Sequence, residues 1–532
     1  MKPPFRRVLV ANRGEIAVRV IRACHELGCE AVAVYSDADV RAPHVRAADV
    51  AVRIGPPPAA DSYLRIDAIL AAARQTAAEA IHPGYGFLSE RAAFARACAE
   101  AGIAFVGPSP ETLAGLGDKL AARRAARAAG VPVVPGTLEP APVEDLEAAA
   151  SVLPEADRVG WPLMVKASAG GGGRGMRRVD EAGELPAALL AASREAAAAF
   201  GDGSVYLERY VQGARHVEVQ LLGDAEGEIV ALGERDCSLQ RRHQKLVEEA
   251  PAPGLTAPRR RELHRLAVSV ARAFGLRNAA TAEFLLAPDG SFWFLEVNTR
   301  LQVEHGVTEL VSGLDLVHEQ LRIAAGESLS RRVRAAAAHA ARPERHAIEV
   351  RISAEDPGRE FAPVSGRITR WREPGGPGVR VDAGVEEGSV VGTDYDPLLA
   401  KLLVVAEDRP GALARLRRAL DEFEVAGLQT TLPFHRWVAA EPAFAAAVLS
   451  TSFVPDRWRA AQLRAAAAAR AAAIAATWTA ATEFGRRGAE AWSGRPPDDV
   501  GPRRDPAADG SASSDERWVR VARREAVERW PA

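Results

Sequence analysis

The chain contains little cysteine and no pattern that would pair or ligate it. Its 532 residues include four scattered cysteines, Cys24, Cys29, Cys98 and Cys237, with no CxxC pair and no zinc-ligand spacing. This argues against a disulfide-stapled scaffold and against a zinc site. Such cysteine usage fits a reducing compartment best, and we predict a cytoplasmic protein.

Long apolar runs and an excess of either charge are also missing. No window approaches about 18 uninterrupted apolar residues, and the N-terminal MKPPFRRVLVANRGE lacks the apolar core of a signal peptide. We therefore predict neither a membrane span nor a secretory leader. The formal net charge is −2, so charge gives no reason to expect a nucleic-acid partner.

The first structural unit lacks a dinucleotide signature. The strand RRVLVA at residues 6–11, the helical run IAVRVIRACHELG and the strand AVAVYS predict a parallel α/β domain of Rossmann-like layout. This unit carries no GxGxxG, and the chain has no Walker A motif, so neither dinucleotide nor P-loop binding is predicted. The length allows about three or four domains.

The stretch at residues 281–305, TAEFLLAPDGSFWFLEVNTRLQVEH, predicts a β-hairpin that carries chemistry. Two apolar runs flank Asp289-Gly290, a strong signal for a two-residue turn, and such a turn places Glu283 opposite Glu296. Two carboxylates at that spacing repel unless a cation lies between them. The alternative, an amphipathic hairpin with one solvated face, is disfavoured because residues 292–295 are apolar on both faces.

Polar residues continue at every second position after the hairpin turn. Period-2 geometry predicts that one side of the strand carries Glu296, Asn298, Arg300, Gln302 and Glu304. Carboxylate and amide oxygens suit Mg²⁺ that also holds nucleotide phosphates. A neighbouring guanidinium suits a small planar oxyanion.

Other candidate anion-binding segments lie earlier in the chain. Lys119 falls in the first turn of a predicted helix, and Lys166 ends a strand that precedes the glycines at 170–173. Those glycines fit a phosphate-covering loop, although a flexible linker explains the run about equally well when taken alone. The sequence HPGYGFLSE at 82–90 is more typical of a structural turn. The cluster Arg241, Arg242, His243 and Lys245 is either an anion site or a solvated face.

These motifs, in this order, resemble the biotin carboxylase component of biotin-dependent carboxylases. The resemblance covers roughly residues 5–455 and rests on LVANRGEIAVRVIRA, HPGYGFLSE, GDK, KASAGGGGRGM, ERDCSLQRRHQK, EEAPAP, EVNTRLQVEH and RISAED. It implies an α/β protein with a Rossmann-like N-terminal domain, an ATP-grasp central domain with a mobile glycine-rich lid, and a β-rich C-terminal domain. We place these domains at 1–117, 118–330 (lid about 138–208) and 331–455, before an Ala-rich helix and largely disordered tail at 456–532.

The resemblance also implies roles for individual residues. Contacts to ATP are expected from Lys119, Lys166, Gly172, Gly173, the segment Glu208, Arg209, Tyr210 and Val211, and from His216 and His243. Mg²⁺ or Mn²⁺, with two ions expected, is assigned to Glu283, Glu296 and Asn298. Bicarbonate is assigned to Lys245, Arg300, Gln302 and the Val303 backbone. Glu304 matches the general base, and Arg351 matches the residue that steadies the biotin enolate.

The implied activity is ATP-dependent carboxylation of biotin by bicarbonate, through carboxyphosphate, as the first half-reaction of an acyl-CoA carboxylase. Methionine occurs only at positions 1, 164 and 176, so the usual Met-Lys-Met biotin-accepting motif is absent. Biotin is therefore expected on a separate carrier protein or domain, with a carboxyltransferase as a further partner and a homodimer or a larger carboxylase complex as the assembly. The alternatives are another ATP-grasp ligase, joining a carboxylate to an amine, and an ATP-binding scaffold component of a carboxylase.

Overall fold

The computed structural model describes residues 2–168 and 175–461, and then residues 468, 472–473 and 475–477. The predicted phosphate-covering glycines, Gly172 and Gly173 among them, lie outside the described residues, as does most of the predicted tail. Among the described residues, no helix is both long and apolar enough to cross a membrane.

The N-terminal domain forms around a parallel sheet, as the strand-helix-strand pattern predicts. In the described chain this sheet has five strands in the order β3-β2-β1-β4-β5. Strands β1, β2 and β4 are largely buried, and helices cover the sheet because parallel strands need a crossover connection. The elements are β1 (Arg7–Val10), α1 (Gly14–Glu26), β2 (Glu30–Ser36), α2 (Pro43–Ala47), β3 (Val50–Gly55), α3 (Ile66–Gln75), β4 (Ala80–His82), α4 (Ala92–Glu100) and β5 (Ala104–Phe105).

A small antiparallel subdomain follows two linking helices. Its described strands pair in the order β7-β6-β8, and helices pack on them around the buried Leu163, Val165 and Leu207. The elements are α5 (Pro110–Gly117), α6 (Lys119–Ala128), α7 (Leu146–Ala150), α8 (Leu153–Val159), β6 (Leu163–Ala167), β7 (Arg177–Val179), α9 (Leu185–Phe200) and β8 (Val205–Arg209).

The central part of the chain contributes most of a large antiparallel sheet. Its elements are β9 (Arg215–Gly223), β10 (Ile229–Arg241), β11 (Gln244–Ala250), α10 (Ala257–Ala273), β12 (Asn278–Leu286), β13 (Phe292–Asn298), α11 (His305–Ser312), α12 (Leu316–Ala324) and α13 (Arg331–His339). Helix α10 packs on this sheet through Leu263, Ala267 and Val270.

The β-rich C-terminal part extends that sheet. Within the described residues the strand order is β13-β12-β9-β10-β11-β14-β21-β19, so the sheet runs without a break across the predicted domain boundary at about 330. The elements are β14 (His346–Ser353), β15 (Glu355–Asp356), β16 (Ala362–Pro363), β17 (Gly366–Arg367), β18 (Arg370–Arg372), β19 (Val379–Ala383), β20 (Val390–Val391), β21 (Leu398–Ala406), α14 (Arg409–Glu422), β22 (Glu424–Ala426), α15 (Leu432–Ala440), α16 (Pro442–Ala445) and α17 (Phe453–Arg457).

The N-terminal and C-terminal parts touch directly at Gly384. A Cβ added to Gly384 would overlap the backbone nitrogen of Glu15, so only glycine permits this approach of the C-terminal part to the start of α1.

Candidate active site

The predicted hairpin exists, and Glu283 lies directly opposite Glu296 as expected. The two-residue turn predicted for it is wrong. The Ala287 amide donates to the Ser291 carbonyl at 2.9 Å, which closes a loop of three residues, and Gly290 takes the left-handed backbone conformation that such loops require.

A β-bulge restores the predicted pairing of the two glutamates. Near the turn Phe284 pairs with Phe294, one position away from the register of a two-residue turn. The register then shifts between Glu283 and Phe284, with Leu295 as the extra residue, so the strands reach the predicted pairing at Glu283 and Glu296. Two departures from the ideal hairpin cancel at the point where the acids face each other.

The period-2 row does not continue past Asn298, so that part of the prediction is wrong. Strand β13 ends at Asn298, and Arg300, Gln302 and Glu304 lie in the segment that leads into α11. Strand geometry therefore cannot align these three side chains. They reach the same site because the segment folds back onto the sheet, where Gln302 Nε2 lies 3.4 Å from Glu283 Oε1.

Lys245 is the centre of the site. Its Nζ lies 2.5 Å from Glu218, 3.0 Å from Glu283 and 2.6 Å from Glu304. The three carboxylates come from β9, β12 and the segment before α11, so one ammonium joins three parts of the fold. Burial alone lowers the pKa of Lys245, but these carboxylates outweigh it and raise that pKa well above its usual range.

The charges around Glu283 keep it ionised. Burial alone raises the pKa of the Glu283 carboxyl, but Lys245 and His216 outweigh burial and bring that pKa to about 2. Burial lowers the pKa of His216, yet Glu283 and Glu218 raise it to about 9. Glu283 is thus a full carboxylate at neutral pH, the state that a metal ligand needs.

Glu304 bridges two cations. Its carboxylate accepts hydrogen bonds from Lys245 at 2.6 Å and from Arg351 at 2.9 Å, and its side chain is fully buried. Arg351, on β14, also donates to Glu248 on β11 at 2.6 Å. Burial raises the pKa of Glu248 to about 7, although Arg351 opposes this shift.

Arg300 faces a cavity with its guanidinium held by neutral and acidic neighbours. It donates to Gln302 Oε1 at 3.0 Å and lies 3.2 Å from Glu90 of the N-terminal part. The cavity has a volume of about 340 Å³ and brings together many of the predicted site residues. Its lining includes Lys119, Lys166, His216, His243, Lys245, Glu283, Glu296, Asn298, Arg300, Gln302, Val303 and Arg351.

A second cavity of about 500 Å³ adjoins the first and shares Lys166, His216 and His243 with it. Its lining also contains the predicted segment from Glu208 to Val211. The side chain of Glu208 is buried in an ion pair with Lys166 at 2.5 Å, and it also pairs with Arg123. Arg209 donates its Nε to the Val159 carbonyl at 2.9 Å.

The predicted basic cluster splits into two environments. Lys245 enters the site, whereas Arg241 donates to the Glu360 carbonyl and stacks on Phe361. Arg242 and His243 form the left-handed turn between β10 and β11, and both line the larger cavity. The cluster is therefore neither one anion site nor one solvated face.

The donor set fits a hard divalent cation. Glu283 and Glu296 face each other across the hairpin, and each carboxylate already attracts an ammonium, Lys245 at 3.0 Å and Lys119 at 3.1 Å. Asn298 donates its amide nitrogen to Glu283 at 2.8 Å, and its amide oxygen accepts from Arg300 at 3.4 Å in the same cavity. Two carboxylates and an amide oxygen that line one cavity suit Mg²⁺.

Pattern reasoning missed three buried residues that build the site: Glu218, Glu248 and Lys401. Glu218 binds Lys245 and also accepts from Arg235 at 2.6 Å, so it orients the central ammonium. One signal in the sequence was available for Lys401. Only five of the 68 basic residues are lysine, and the four other than Lys2 all lie at or beside this site.

Family models match consecutive parts of this fold. Biotin carboxylase, N-terminal domain, matches residues 4–113; Carbamoyl-phosphate synthase L chain, ATP binding domain, matches residues 118–332; Biotin carboxylase C-terminal domain matches residues 349–456. The fold and the site thus define an ATP-grasp ligase with a Rossmann-like N-terminal domain and a β-rich C-terminal domain, which confirms the predicted fold class.

Similar proteins narrow the class further. Biotin carboxylase of Halalkalibacterium halodurans is 49% identical over 452 residues, covering 85% of this chain and 98% of that protein. The biotin-dependent acyl-coenzyme A carboxylase alpha3 subunit of Mycobacterium leprae is 51% identical over 437 residues, with 82% of this chain and 71% of that protein covered. The chain belongs to the biotin carboxylase family, as the ordered motifs predicted.

A solved structure matches the fold over the same region. The biotin carboxylase domain dimer of Hydrogenobacter thermophilus 2-oxoglutarate carboxylase, in complex with MgADP, ADP and bicarbonate, superposes with a TM-score of 0.81 at 44% identity. The match covers 85% of this chain and 97% of that one. The ligands in that complex, a magnesium nucleotide and bicarbonate, are those predicted from the sequence of this chain.

Proposed function

We propose that this chain carboxylates biotin in an ATP-dependent reaction with bicarbonate. The observation that carries the proposal is the position of Glu304, a fully buried carboxylate between Lys245 at 2.6 Å and Arg351 at 2.9 Å, beside the cavity that Arg300 faces. Lys245 and Arg351 fix the position of the Glu304 carboxylate, and a fixed carboxylate next to a guanidinium that faces a cavity suits deprotonation of a small oxyanion.

ATP occupies the two adjoining cavities in this proposal. Lys119 and Lys166 lie along them and bind phosphate oxygens, while the segment from Glu208 to Val211 borders the nucleobase end. Glu283, Glu296 and Asn298 would hold Mg²⁺, and the bound ion would neutralise phosphate charge. Positioning and charge stabilisation supply most of the rate in phosphoryl transfer.

Bicarbonate lies against Arg300, Gln302, the Val303 amide and Lys245. Glu304 removes its proton as the bicarbonate oxygen attacks the γ-phosphoryl group of ATP, giving ADP and carboxyphosphate. Decomposition of carboxyphosphate releases CO₂ and phosphate, and phosphate takes the proton from the ureido nitrogen of biotin. Arg351 turns from Glu304 to the developing negative charge on the ureido oxygen, and the nitrogen attacks CO₂.

Biotin is presented by a carrier protein or domain, and a carboxyltransferase completes the reaction with an acyl-CoA or a related acceptor. Support comes from similar proteins named as components of carboxylases, the acyl-coenzyme A carboxylase component of Mycobacterium leprae and the 2-oxoglutarate carboxylase domain of Hydrogenobacter thermophilus. We also propose a homodimer and a cytoplasmic location, the latter supported by four cysteines that are all buried and unpaired.

The decisive experiment measures phosphate release from ATP with Mg²⁺, with bicarbonate present or removed, and then follows carboxylation of free biotin. We expect ATP cleavage to require bicarbonate, and carboxybiotin to form when biotin is added. If amino acids stimulate ATP cleavage and bicarbonate does not, the protein is instead a carboxylate-amine ligase. Nucleotide binding without any turnover would identify the scaffold alternative.

A further inference from the structure

Lys401 is a buried ammonium outside the set of predicted site residues. It lies on β21 with no exposed surface, and its Nζ donates to the Val303 carbonyl at 2.8 Å. Glu15 of α1 lies 3.4 Å away and Asp382 of β19 lies 3.6 Å away. One side chain thus connects the N-terminal part, the C-terminal part and the turn before α11.

The composition of the chain indicates that Lys401 does more than neutralise nearby carboxylates. Arginine is by far the more common basic residue in this chain, since only five of its 68 lysine and arginine residues are lysine. A buried position that needed only a positive charge could hold arginine, which pairs well with carboxylates. At position 401 three acceptors from different elements converge on one nitrogen, and a compact ammonium presents its donors from a single point, as a planar guanidinium does not.

The carbonyl that Lys401 holds belongs to the segment assigned to bicarbonate. Gln302 and Glu304 flank Val303, and the turn has a second fixed point where the His305 amide donates to the Gln302 carbonyl at 3.2 Å. Lys401 also lies directly beside Arg351 in the β14–β21 register. Movement of the Val303 carbonyl would therefore shift the Gln302 amide, the Val303 amide and the Glu304 carboxylate together.

We propose that Lys401 is a positioning residue for bicarbonate. By holding the Val303 carbonyl, Lys401 fixes the conformation of the turn from Gln302 to Glu304. The inference rests on the proposed function, because it gives that turn a substrate. Lys401 itself touches neither bicarbonate nor ATP, so its effect is expected in the KM for bicarbonate and much less in the KM for ATP.

The alternative is that Lys401 only neutralises Glu15 and Asp382. Replacement by methionine removes the ammonium and leaves the buried Glu15 carboxylate without a cation, which endangers folding, whereas Asp382 keeps Arg380 at 2.8 Å. The double variant Glu15→Gln/Lys401→Met removes one of those carboxylates together with the ammonium, so the local charge is unchanged. Glu15→Gln alone is the matched control, since it keeps the bond from Lys401 to Val303.

We expect the KM for bicarbonate to be about tenfold higher or more in the double variant than in Glu15→Gln, because the charge-assisted hydrogen bond that holds the turn is lost. The KM for ATP should stay within about twofold. Amide hydrogen exchange at residues 302–305 should also become faster in the double variant. A bicarbonate KM and exchange rates equal to those of Glu15→Gln would overturn the inference and leave the proposed function intact. A wild-type enzyme whose ATP cleavage ignores bicarbonate would overturn both.

Discussion

Replacement of Glu304 by glutamine tests the centre of the proposed mechanism. A glutamine side chain has the same shape but cannot take a proton from bicarbonate, so general-base catalysis is lost. Loss of such a base typically costs about 10²- to 10⁴-fold in rate, and we expect bicarbonate-dependent ATP cleavage to fall by that factor. The KM for ATP should change little, because Glu304 does not line the nucleotide cavities.

The structure also predicts that this variant folds. Lys245 keeps Glu218 and Glu283, and Arg351 keeps Glu248, so neither cation is left alone when the Glu304 charge is removed. The loss is then close to that of one hydrogen bond to a charged group, about 1.5–3 kcal/mol. A folded domain is typically stable by roughly 5–15 kcal/mol, so the variant should remain folded at assay temperature.

The assay for Glu304→Gln combines phosphate release with calorimetric titration of MgADP and thermal unfolding. Glu90→Gln is a suitable control, because Glu90 is half-exposed and contacts the edge of the same site through Arg300. Bicarbonate-dependent turnover within tenfold of wild type, in a folded variant that binds nucleotide normally, would refute the assignment of Glu304 as the base.

Three further predictions test other parts of the site. Glu283→Gln should raise the Mg²⁺ concentration needed for half-maximal rate by about tenfold, because one charge is lost from the paired ligands; an unchanged Mg²⁺ dependence in rate assays would argue against the hairpin as metal site. Arg351→Gln should lower carboxybiotin formation at least about tenfold more than phosphate release, measured in parallel; equal losses would remove its special role toward biotin. Burial raises the pKa of Glu349 well above its usual range, so its contribution to stability is present below the unfolded pKa of about 4.3 and is lost as pH rises through the folded value. Wild type should therefore lose more thermal stability than Glu349→Gln as pH rises from about 4.3 to that folded value, whereas exposed Glu344→Gln should follow wild type. Parallel curves for wild type and Glu349→Gln would contradict a neutral buried acid.

Local pattern predicted the parts of the site that depend on neighbouring residues in the chain. Lys119 begins α6, as its place in a first helical turn predicted, and Glu283 faces Glu296. The hairpin shows the limit of such reasoning, because the acids pair as predicted through a longer turn and a compensating bulge. Turn length and bulge position both depend on packing of the hairpin against β9 and α6, which pattern alone does not contain.

The sequence by itself determined the family, the domain order and many, but not all, of the charged residues at the candidate site. Only the tertiary structure decided how those charges are arranged: Lys245 among three carboxylates, Arg351 between Glu248 and Glu304, and Lys401 on the Val303 carbonyl. The physical reason is that a buried charge is stable only beside partners of opposite sign, and here those partners come from strands and turns far apart along the chain. The order of strands in the large sheet brings these charged side chains together.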